Sequence, residues 1–297
     1  MSALRNAVNT SSLATGLLER CKFPKGGTLH CAVSGGADSL ALLLLASRTQ
    51  QPVVAWHVDH GIRLSSADDF ALVRQVAQDL GANAELRVVN VELGPNLEAR
   101  AREARFAVLP TDVLTGHTAD DQAETVIINL LRGSGTAGLA GMRHDRHPLL
   151  RIRRSETRAL CAEVGVQPLH DPMNDDDRFQ RVRLRNDVIP LLQEIAQRDV
   201  VDLISRQAET LRDDNDLLDE LAAMIDVTDA RALVGAPVAL ARRAIRQWLS
   251  DPMPPDAATV ERVLAVARGE AIACEVGRGR QVRRSHQRLE LHNLDVL

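Results

Sequence analysis

Tyrosine is absent from this chain of 297 residues, and aromatic side chains make up only 2% of it. A sheet that stacks bases on aromatic rings, as RRM domains do, is therefore not expected. Lysine occurs only twice and the net charge is −4, which argues against a general nucleic-acid binder. No apolar run approaches the length of a membrane helix and no secretory signal is recognisable. We therefore expect a cytoplasmic protein that has no membrane contact.

The cysteines are few and scattered, and no two of them form a CxxC pair. They are Cys21, Cys31, Cys161 and Cys274. This spacing predicts neither a disulfide framework nor a cysteine set for a zinc ion or an iron–sulfur cluster. A Walker A loop is missing too, because neither Lys22 nor Lys25 stands in a Gly-Lys-Ser/Thr sequence.

The residues that are present centre on one glycine-rich turn, SGGADS, at 34–39. A β-prone run precedes the turn and a leucine-rich, helix-forming run follows it. Such a turn points backbone N–H groups outward at the positive end of the helix dipole, which makes an anion site, and Ser34 and Ser39 add hydroxyl donors. Asp38 would repel a phosphate unless a divalent cation lay between them; the simpler explanation is that it caps the helix.

Short β-prone runs alternate with helix-forming runs through much of the chain. The predicted strands are 28–33, 52–61, 85–91 and 111–115, and the predicted helices between and around them are 13–21, 40–46, 65–80, 96–109, 119–131 and 155–164. This alternation predicts an α/β fold with a doubly wound parallel sheet. Ligands bind beyond the carboxyl ends of such strands, where the SGGADS turn, His57 to His60 and Gly116-His117 all fall. We expect these polar clusters to converge.

His57, Asp59 and His60, at the end of the second predicted strand, resemble a metal site in their residue types. Alternation along a strand places His57 and Asp59 on one face and His60 on the other, so a shared transition-metal ion is not expected. A structural or nucleotide-lining role is the better interpretation.

Charged residues on the predicted helix 96–109 have two explanations. Glu98 and Arg102 are four residues apart and can pair across one helical turn. Arg100 and Arg105 are left over by that pairing, so they are candidates for a phosphate or substrate contact.

Three acidic residues follow the fourth predicted strand: Asp120, Asp121 and Glu124. One carboxylate suits the positive end of the helix dipole, but three exceed what capping requires. Asp121 and Asp38 are therefore candidates to share a Mg²⁺ ion that bridges the phosphates of ATP.

The chain changes character at a long acidic, amphipathic helix predicted over 199–226. We place a domain boundary before it, which gives a first domain at 1–196 and a smaller, mainly helical domain at 197–297. Further helices are predicted at 238–249 and 257–268, and short strands at 271–276 and 289–292.

Two groups of arginines are candidate polyanion contacts. Arg181 and Arg185 share one predicted helix face, which suits a phosphodiester or a pyrophosphate, although a solvated face is the usual explanation. A second group makes a local basic patch near the end of an acidic protein, which favours RNA binding. Its main members are Arg280, Arg283 and Arg284.

Six stretches of the chain form a specific combination. They are SGGADS at 34–39, VDHGIR at 58–63, NLEAR at 96–100, TGHTADDQAET at 115–125, LLRGSG at 130–135 and RVRLR at 181–185. Together they resemble the tRNA(Ile)-lysidine synthetase family of the N-type ATP pyrophosphatase (PP-loop) superfamily. The resemblance implies the adenine-nucleotide alpha-hydrolase-like form of the α/β fold. Phe106 stands where the family usually has tyrosine, and Val182 replaces an asparagine of its RNRxR pattern.

The resemblance implies an ATP- and Mg²⁺-dependent ligase that joins free L-lysine to C2 of the wobble cytidine in the CAU anticodon of tRNA(Ile). ATP adenylates the C2 oxygen, pyrophosphate leaves, and the lysine amine then expels AMP. A homodimer is a further expectation. The sequence names no base for the lysine amine.

The implied roles fall into four sets. ATP binding falls to Ser34, Gly35, Gly36, Ala37, Asp38, Ser39, His57, Asp59, Gly116 and His117. The catalytic set is Asp38, Asp121, Arg105 and Arg183, of which Asp38 and Asp121 would also bind Mg²⁺. Contacts to lysine or tRNA fall to Asn96, Glu98, Arg100, Asp120, Glu124, Arg132, Arg181, Arg185, Arg280, Arg283 and Arg284.

Three other functions remain open. An RNA thiolase uses the same adenylation but typically needs paired cysteines. A synthetase for a small metabolite, such as NAD or GMP, would have no use for the terminal arginine patch. A non-enzymatic RNA-binding module would not need the SGGADS turn.

Overall fold

The computed structural model describes residues 2–59, 66–90, 97–169, 180–251 and 253–294. The chain divides into two compact units, Met1–Glu209 and Thr210–Leu297, and the division falls within the long helix Val200–Ala223. The expected boundary before residue 197 stays a prediction. Among the described helices, none combines the length and the apolar character needed to cross a bilayer.

Three parallel strands form the sheet of the first unit: β1 (Leu29–Ala32), β2 (Val53–Asp59) and β3 (Asn83–Val88). They pair in the order β1-β2-β3, with Leu29 opposite Val53. The predicted parallel α/β sheet is confirmed.

The fourth predicted strand, at 111–115, is reduced to one parallel bridge between Cys31 and Leu114. Leu114 exchanges two backbone hydrogen bonds with β1, at 2.6 and 2.8 Å. The Thr115 N–H then turns away and donates to the Arg146 carbonyl at 2.9 Å. The segment leaves the sheet after one residue, so the prediction of a full strand was wrong.

Helices fill most of the rest of the first unit. They are α1 (Ala3–Thr10), α2 (Ser12–Arg20), α3 (Ala37–Ala46), α4 (Ser66–Leu80), α5 (Leu97–Val108), α6 (Ala119–Leu131), α7 (Thr136–Leu139), α8 (Arg154–Glu163), α9 (Gln180–Arg183) and α10 (Ile189–Ala196). A π-helical turn, Leu184–Val188, joins α9 to α10. The helices predicted from 40, 65, 96 and 119 are confirmed.

The first residues hold two helices where the sequence predicts one. Ser11 ends α1, and its hydroxyl also accepts the Ala14 N–H at 2.8 Å to cap α2. One serine with both roles leaves no loop between the helices, which is why the sequence pattern did not separate them.

Helix α3 lies at the centre of the main core. Its side chains at 40–45 are all 0% exposed, and they pack with residues of the sheet and of α8 such as Cys31, Ala55 and Leu160. A helix that is apolar on every side is stable only when it is covered on every side. Each buried leucine contributes about 1.5–3 kcal/mol relative to an exposed one. The start of α3, and the turn before it, are fixed by this packing.

A second cluster joins α6 to the segment that follows α9. Ala123 and Ile127 of α6 pack with Leu184, Ile189 and Val201, all buried. This packing fixes the polar face of α6 relative to the arginines near residue 185.

The second unit contains helices and one antiparallel sheet. Beyond the helix Val200–Ala223, here α11, its elements are α12 (Ala230–Gly235), α13 (Val238–Trp248), α14 (Ala257–Arg268), β4 (Ala273–Gly277), β5 (Arg280–Ser285) and β6 (Arg288–Asn293). Leu233, Ile245, Val263 and Val282 are 0% exposed and lie in its core. A mainly helical second unit was predicted and is confirmed.

Strand β5 is the element that the sequence analysis missed, because its arginines were interpreted as a surface patch. It pairs with β4 and β6 in the order β4-β5-β6. The turns on either side of it hold residues of positive φ, among them Arg278 (57°), His286 (47°) and Gln287 (67°). Tight hairpin turns require such values, so these residues are part of a three-stranded meander.

Candidate active site

The glycine-rich turn joins β1 to α3. Gly35 adopts φ +92°, and a Cβ at this residue would lie 2.5 Å from Leu169 Cδ1. Ser39 Oγ accepts the Ser34 N–H at 3.2 Å and donates to the Gly36 carbonyl at 2.9 Å, which closes the turn. The first N–H groups of α3 have no acceptor within the helix. The backbone geometry that an anion site requires is therefore present.

Two further strand ends lie against this turn. A Cβ at Gly116 would lie 2.6 Å from the backbone oxygen of Asp38, so only glycine permits this close approach. His57 is 4% exposed and its Nδ1 donates to the Val33 carbonyl at 2.8 Å, just before the turn. Asp59 ends β2 on the same side of the sheet. One nitrogen of His57 thus supports the turn from inside the sheet.

Three carboxylates, which we call the carboxylate centre, meet beside the turn: Asp38 of α3 and Asp121 and Glu124 of α6. The Arg154 guanidinium at the start of α8 lies among them. Its Nε is 3.3 Å from Asp38 Oδ2, its Nη2 is 2.6 Å from Asp121 Oδ1, and its Nη1 is 3.4 Å from Glu124 Oε1. One buried cation therefore holds three carboxylates from two other helices.

The surroundings move the pKa values of two of these carboxylates in opposite directions. Burial raises the pKa of Asp38 above its ordinary value, against the opposing effect of hydrogen bonds from Thr157 and Arg154. Burial acts on Asp121 in the same way, but the Arg154 charge, His117 and the two hydrogen bonds from Thr118 outweigh it and lower the pKa of Asp121. Asp121 is the more strongly ionised of the two.

Glu124 is 0% exposed and holds a second arginine. Its Oε1 accepts from Arg185 Nε at 2.9 Å as well as from Arg154. Its Oε2 has no hydrogen-bond partner among the residues that the structure describes. Glu124 Oε2 is therefore a buried acceptor that a bound ligand can use.

Asp120 points away from the carboxylate centre. Its two oxygens lie 3.1 Å from Nε and Nη2 of Arg153, and Oδ2 also accepts the Arg154 N–H at 2.8 Å. These bonds attach the start of α8 to the start of α6. Both oxygens of Asp120 are thus engaged by Arg153 and Arg154, and the substrate contact expected from the sequence stays a prediction.

Two histidines, His117 and His147, share the hydroxyl of Thr115. Thr115 Oγ1 is 2.6 Å from His117 Nδ1 and 2.6 Å from His147 Nδ1, and the two Nδ1 atoms are 3.2 Å apart. Burial and neighbouring arginines, against the opposing charge of Asp121, lower the pKa of His117 to about 4. Burial, His117 and neighbouring arginines lower the pKa of His147 to about 3. Both rings are therefore neutral at physiological pH.

Three arginines surround the Phe106 ring. The guanidinium carbons of Arg102, Arg105 and Arg146 lie 5.1, 5.3 and 6.0 Å from the ring centre, within cation–π range. Burial lowers the pKa of Arg105, and the nearby Arg102 charge adds to this effect. Within the described parts of the chain, Arg105 makes no ion pair. We call these three residues the guanidinium cluster.

Arg181 and Arg185, which were predicted to share one helix face, both point towards α6, whereas Arg183 between them does not. Arg181 Nη2 is 3.4 Å from Thr125 Oγ1 and Arg185 binds Glu124, so both face α6. Arg183 points elsewhere, is 70% exposed and lies 3.9 Å from Asp187. The structure places Arg183 away from the carboxylate centre, and its catalytic role stays a prediction.

The remaining candidates in the first unit lie at its edges. Arg132 ends α6 and is exposed, and Arg100 is half-buried on α5. Asn96 and the side chain of Glu98 lie outside the described residues.

The arginines of the second unit do not form one surface. Arg280 and Arg284 share a face of β5 with the buried Val282, while Arg283 lies on the opposite, exposed face. Arg284 donates to Gln287 at 2.6 Å. The basic patch expected from the sequence is thus divided between two faces of the sheet.

Comparison with known proteins identifies the family. The model of the ATP-binding PP-loop domain matches residues 9–192. The tRNA(Ile)-lysidine synthase of Mycolicibacterium paratuberculosis is 44% identical over 267 residues, which cover 84% of this chain and 80% of that protein. The enzyme of the same name from Nocardia farcinica is 44% identical over 238 residues, 74% of each chain.

The chain belongs to the tRNA(Ile)-lysidine synthase family. The resemblance drawn from the six stretches is confirmed, and so is an ATP-binding PP-loop domain. The matched range contains the glycine-rich turn, the carboxylate centre, both histidines and the arginines at 181–185. The candidate site of the first unit therefore lies within the matched range.

One solved structure supports the fold. The U34-tRNA thiolase NcsA from Methanococcus maripaludis, with its [4Fe-4S] cluster, aligns with a TM-score of 0.51 and 20% identity, over 70% of this chain and 78% of that one. At this identity the likeness concerns the architecture alone.

Sequence reasoning overlooked the cation at the centre of this lysidine synthase family member. The sequence analysis assigned no role to Arg154. The convergence of Asp38, Asp121 and Glu124 is itself a signal, because three buried carboxylates require a positive partner. Thr115 and His147 were overlooked as well, since their contact joins residues distant in sequence.

The carboxylate centre fits a Mg²⁺ ion shared with a nucleotide better than a resident metal. In the described ranges no group of three or more potential ligands is arranged to hold an ion. Mg²⁺ commonly uses one or two carboxylates plus substrate phosphates and keeps several waters. Asp38 and Asp121, beside the turn, supply that number of carboxylates.

Proposed function

We propose that this protein is an ATP-dependent ligase that attaches free lysine to C2 of the wobble cytidine in the CAU anticodon of tRNA(Ile), which gives lysidine and releases AMP and pyrophosphate. The observation that carries the proposal is 44% sequence identity, over 84% of this chain, to a protein named tRNA(Ile)-lysidine synthase. The arrangement of the turn, the carboxylate centre and the guanidinium cluster supports it.

In the first step, the C2 oxygen of the cytidine attacks the α-phosphorus of ATP and the bond to pyrophosphate breaks. The N–H groups of the turn and the Ser34 and Ser39 hydroxyls bind the departing pyrophosphate. Asp38 and Asp121 would hold Mg²⁺, and the bound ion would neutralise part of the phosphate charge. Arg105, close to His117, stabilises the negative charge that develops on the phosphoryl group.

In the second step, the amine of lysine attacks C2, and the C2–O bond breaks so that AMP leaves. Glu124 is the residue we assign to the lysine cation, because its Oε2 is a buried acceptor without a partner in the described chain. Arg181 and Arg185, beside Glu124, bind the tRNA backbone. The amine must lose one proton, and we assign no side chain to that role.

The cysteines argue against a thiolase. Cys31 and Cys161 are buried, and burial raises the pKa of each thiol to about 12. Such thiols are poor nucleophiles and poor metal ligands. Sulfur transfer is therefore not favoured.

The test is AMP formation from ATP with a CAU-anticodon tRNA(Ile) transcript, with and without free lysine. Lysine-dependent AMP, with labelled lysine retained on the tRNA, is expected. AMP formed without any tRNA would point to a small-metabolite synthetase and overturn the proposal. Asp38→Asn should abolish AMP formation while leaving tRNA affinity intact, which separates catalysis from binding.

Further parts of this proposal concern the setting of the reaction. We place it in the cytoplasm, without membrane contact, in a homodimer whose presence sedimentation equilibrium can test. The domain that begins before α11 binds tRNA, with the exposed Arg283 as its first candidate contact. Deleting residues after Asp226 should then lower the selectivity for tRNA(Ile) over a methionine tRNA with the same anticodon.

A further inference from the structure

The histidine pair offers a feature that the proposed function does not use. Thr115 is 8% exposed, and its hydroxyl lies between two imidazole nitrogens at equal distances of 2.6 Å. A hydroxyl has one proton to donate, so it can donate to one ring and must accept from the other. If both rings are neutral, the two Nδ1 atoms therefore hold one proton between them.

The geometry points to Thr115 and His147 as positioning residues that fix His117 in one tautomer. His147 donates its Nδ1–H to Thr115 Oγ1, and the Thr115 hydroxyl donates to His117 Nδ1. The proton of His117 then lies on Nε2, so the ring presents a neutral N–H donor. This inference rests on the proposed function and adds to it that the donor serves the oxygen atoms of the nucleotide phosphates.

The 3.2 Å separation of the two Nδ1 atoms fits this arrangement. The His147 Nδ1–H can be shared between the hydroxyl oxygen and the His117 Nδ1, both of which are acceptors. Every polar atom in the triangle then has a partner. Two Nδ1–H groups at this separation would repel each other, and two bare nitrogens would leave the Thr115 proton as their only donor.

The charges around the rings keep both of them neutral, and the donor role that we assign to His117 sets the direction of the hydrogen bonds from His147 to His117. Asp121, Arg102, Arg105 and Arg181 act on His117. Arg102 and Arg146 act on His147, with His144 beside them. The excess of positive charge and the burial oppose a second proton on either ring. His117 is thus a poor base and a good neutral donor, and a donor facing phosphate requires its proton on Nε2.

The first test is a tautomer measurement that needs no variant. Long-range ¹H–¹⁵N spectra of histidine-labelled protein distinguish a protonated Nδ1 from a protonated Nε2. We expect His117 to carry its proton on Nε2 and His147 on Nδ1 near neutral pH. A His117 protonated on Nδ1 would overturn the assignment, whether or not the enzyme makes lysidine. Failure of the proposed function is thereby distinguishable from failure of this inference.

The second test uses matched variants. Thr115→Val keeps the shape of the side chain and removes the hydroxyl, whereas Thr115→Ser keeps the hydroxyl. We expect T115V to lower kcat roughly tenfold, the value of about one hydrogen bond, with a smaller change in the KM for ATP. T115S should restore the rate and the His117 spectrum. Equal rates and equal spectra for the two variants would show that the hydroxyl does not position His117.

His147 is tested in parallel. His147→Asn places an amide N–H close to where Nδ1 stood, and His147→Phe retains a ring without a donor. H147N should preserve the Nε2 proton of His117, and H147F should produce a mixture of tautomers. If H147F leaves the His117 spectrum unchanged, His147 has no positioning role.

Discussion

Two buried or half-buried arginines of the first unit illustrate opposite uses of the same side chain. Arg154 has three carboxylate partners within 3.4 Å, so its charge is balanced inside the protein. Arg105 lies against Phe106 and Arg102 and has no such partner in the described chain. A desolvated charge without a counter-ion is costly, so it persists where a ligand supplies the anion. Arg154 is therefore part of the scaffold and Arg105 part of the binding surface.

The largest effect is expected when Arg154 is replaced. Arg154→Met leaves Asp38 and Asp121 without their cation and Glu124 with Arg185 alone, and removing one partner of a buried ion pair costs about 3–5 kcal/mol. Urea denaturation measures this loss. Arg154→Lys keeps the charge without the three-way geometry, so it should recover part of the stability. If R154M is as stable as the parent, the carboxylates are held apart by other means.

Replacing Arg105 should have the opposite pattern of effects: the rate should fall while the stability is kept. Arg105→Gln removes a charge that nothing in the described chain balances, so the free energy of unfolding should stay unchanged or rise slightly. Loss of a group that stabilises transition-state charge lowers kcat by roughly a hundredfold. Lysine-dependent AMP release and urea denaturation are measured on the same preparation. A loss of stability as large as that of R154M would place Arg105 in the scaffold and remove the contrast.

A smaller effect distinguishes two members of the carboxylate centre. The pKa of Asp121 is lowered in the folded protein, so its contribution to stability is present above the unfolded value of about 3.9 and is lost as the pH falls through the folded value. The pKa of Asp38 is raised, so its ionised form opposes folding above that raised value. Asp121→Asn should cost about 1–3 kcal/mol near neutral pH, and Asp38→Asn should cost nothing.

Denaturation curves recorded from neutral pH down to about 3 test this difference. The difference in the free energy of unfolding between D121N and the parent should become smaller as the pH falls below about 4. The parent then loses the same ion pair, because Asp121 becomes protonated. A gap that is independent of pH would mean that D121N acts through packing and not through charge.

The sequence predicts local features of this fold well and long-range ones poorly. The leucine run 40–45 and the caps around α6 are local signals, and both helices are where they were expected. The segment near Leu114 has strand-like composition, yet pairing depends on where the Thr115 N–H finds an acceptor. Local pattern contains no information about that carbonyl of Arg146.

The site divides in the same way. The glycine-rich turn and Asp121 are recognisable because their spacing carries the chemistry. Arg154, Thr157 and His147 act through contacts with residues far away in the chain, so their roles become visible only when α8 packs against α3 and α6. Arg183 shows the opposite case, since a motif included it although its side chain is exposed beside Asp187.

The π-helical turn Leu184–Val188 gives this region a built-in register. A π-helical turn holds one more residue than an α-helical turn does, so the chain beyond it is rotated by about 100° relative to an uninterrupted helix. Arg185, early in the π-helical turn, contacts Glu124, and Ile189, after the turn, packs in the apolar cluster with α6. The extra residue thus allows a charged side chain, Arg185, and an apolar side chain, Ile189, of one continuous segment both to contact α6. Deleting one residue of this turn would therefore remove either the contact between Arg185 and Glu124 or the packing of Ile189 against α6.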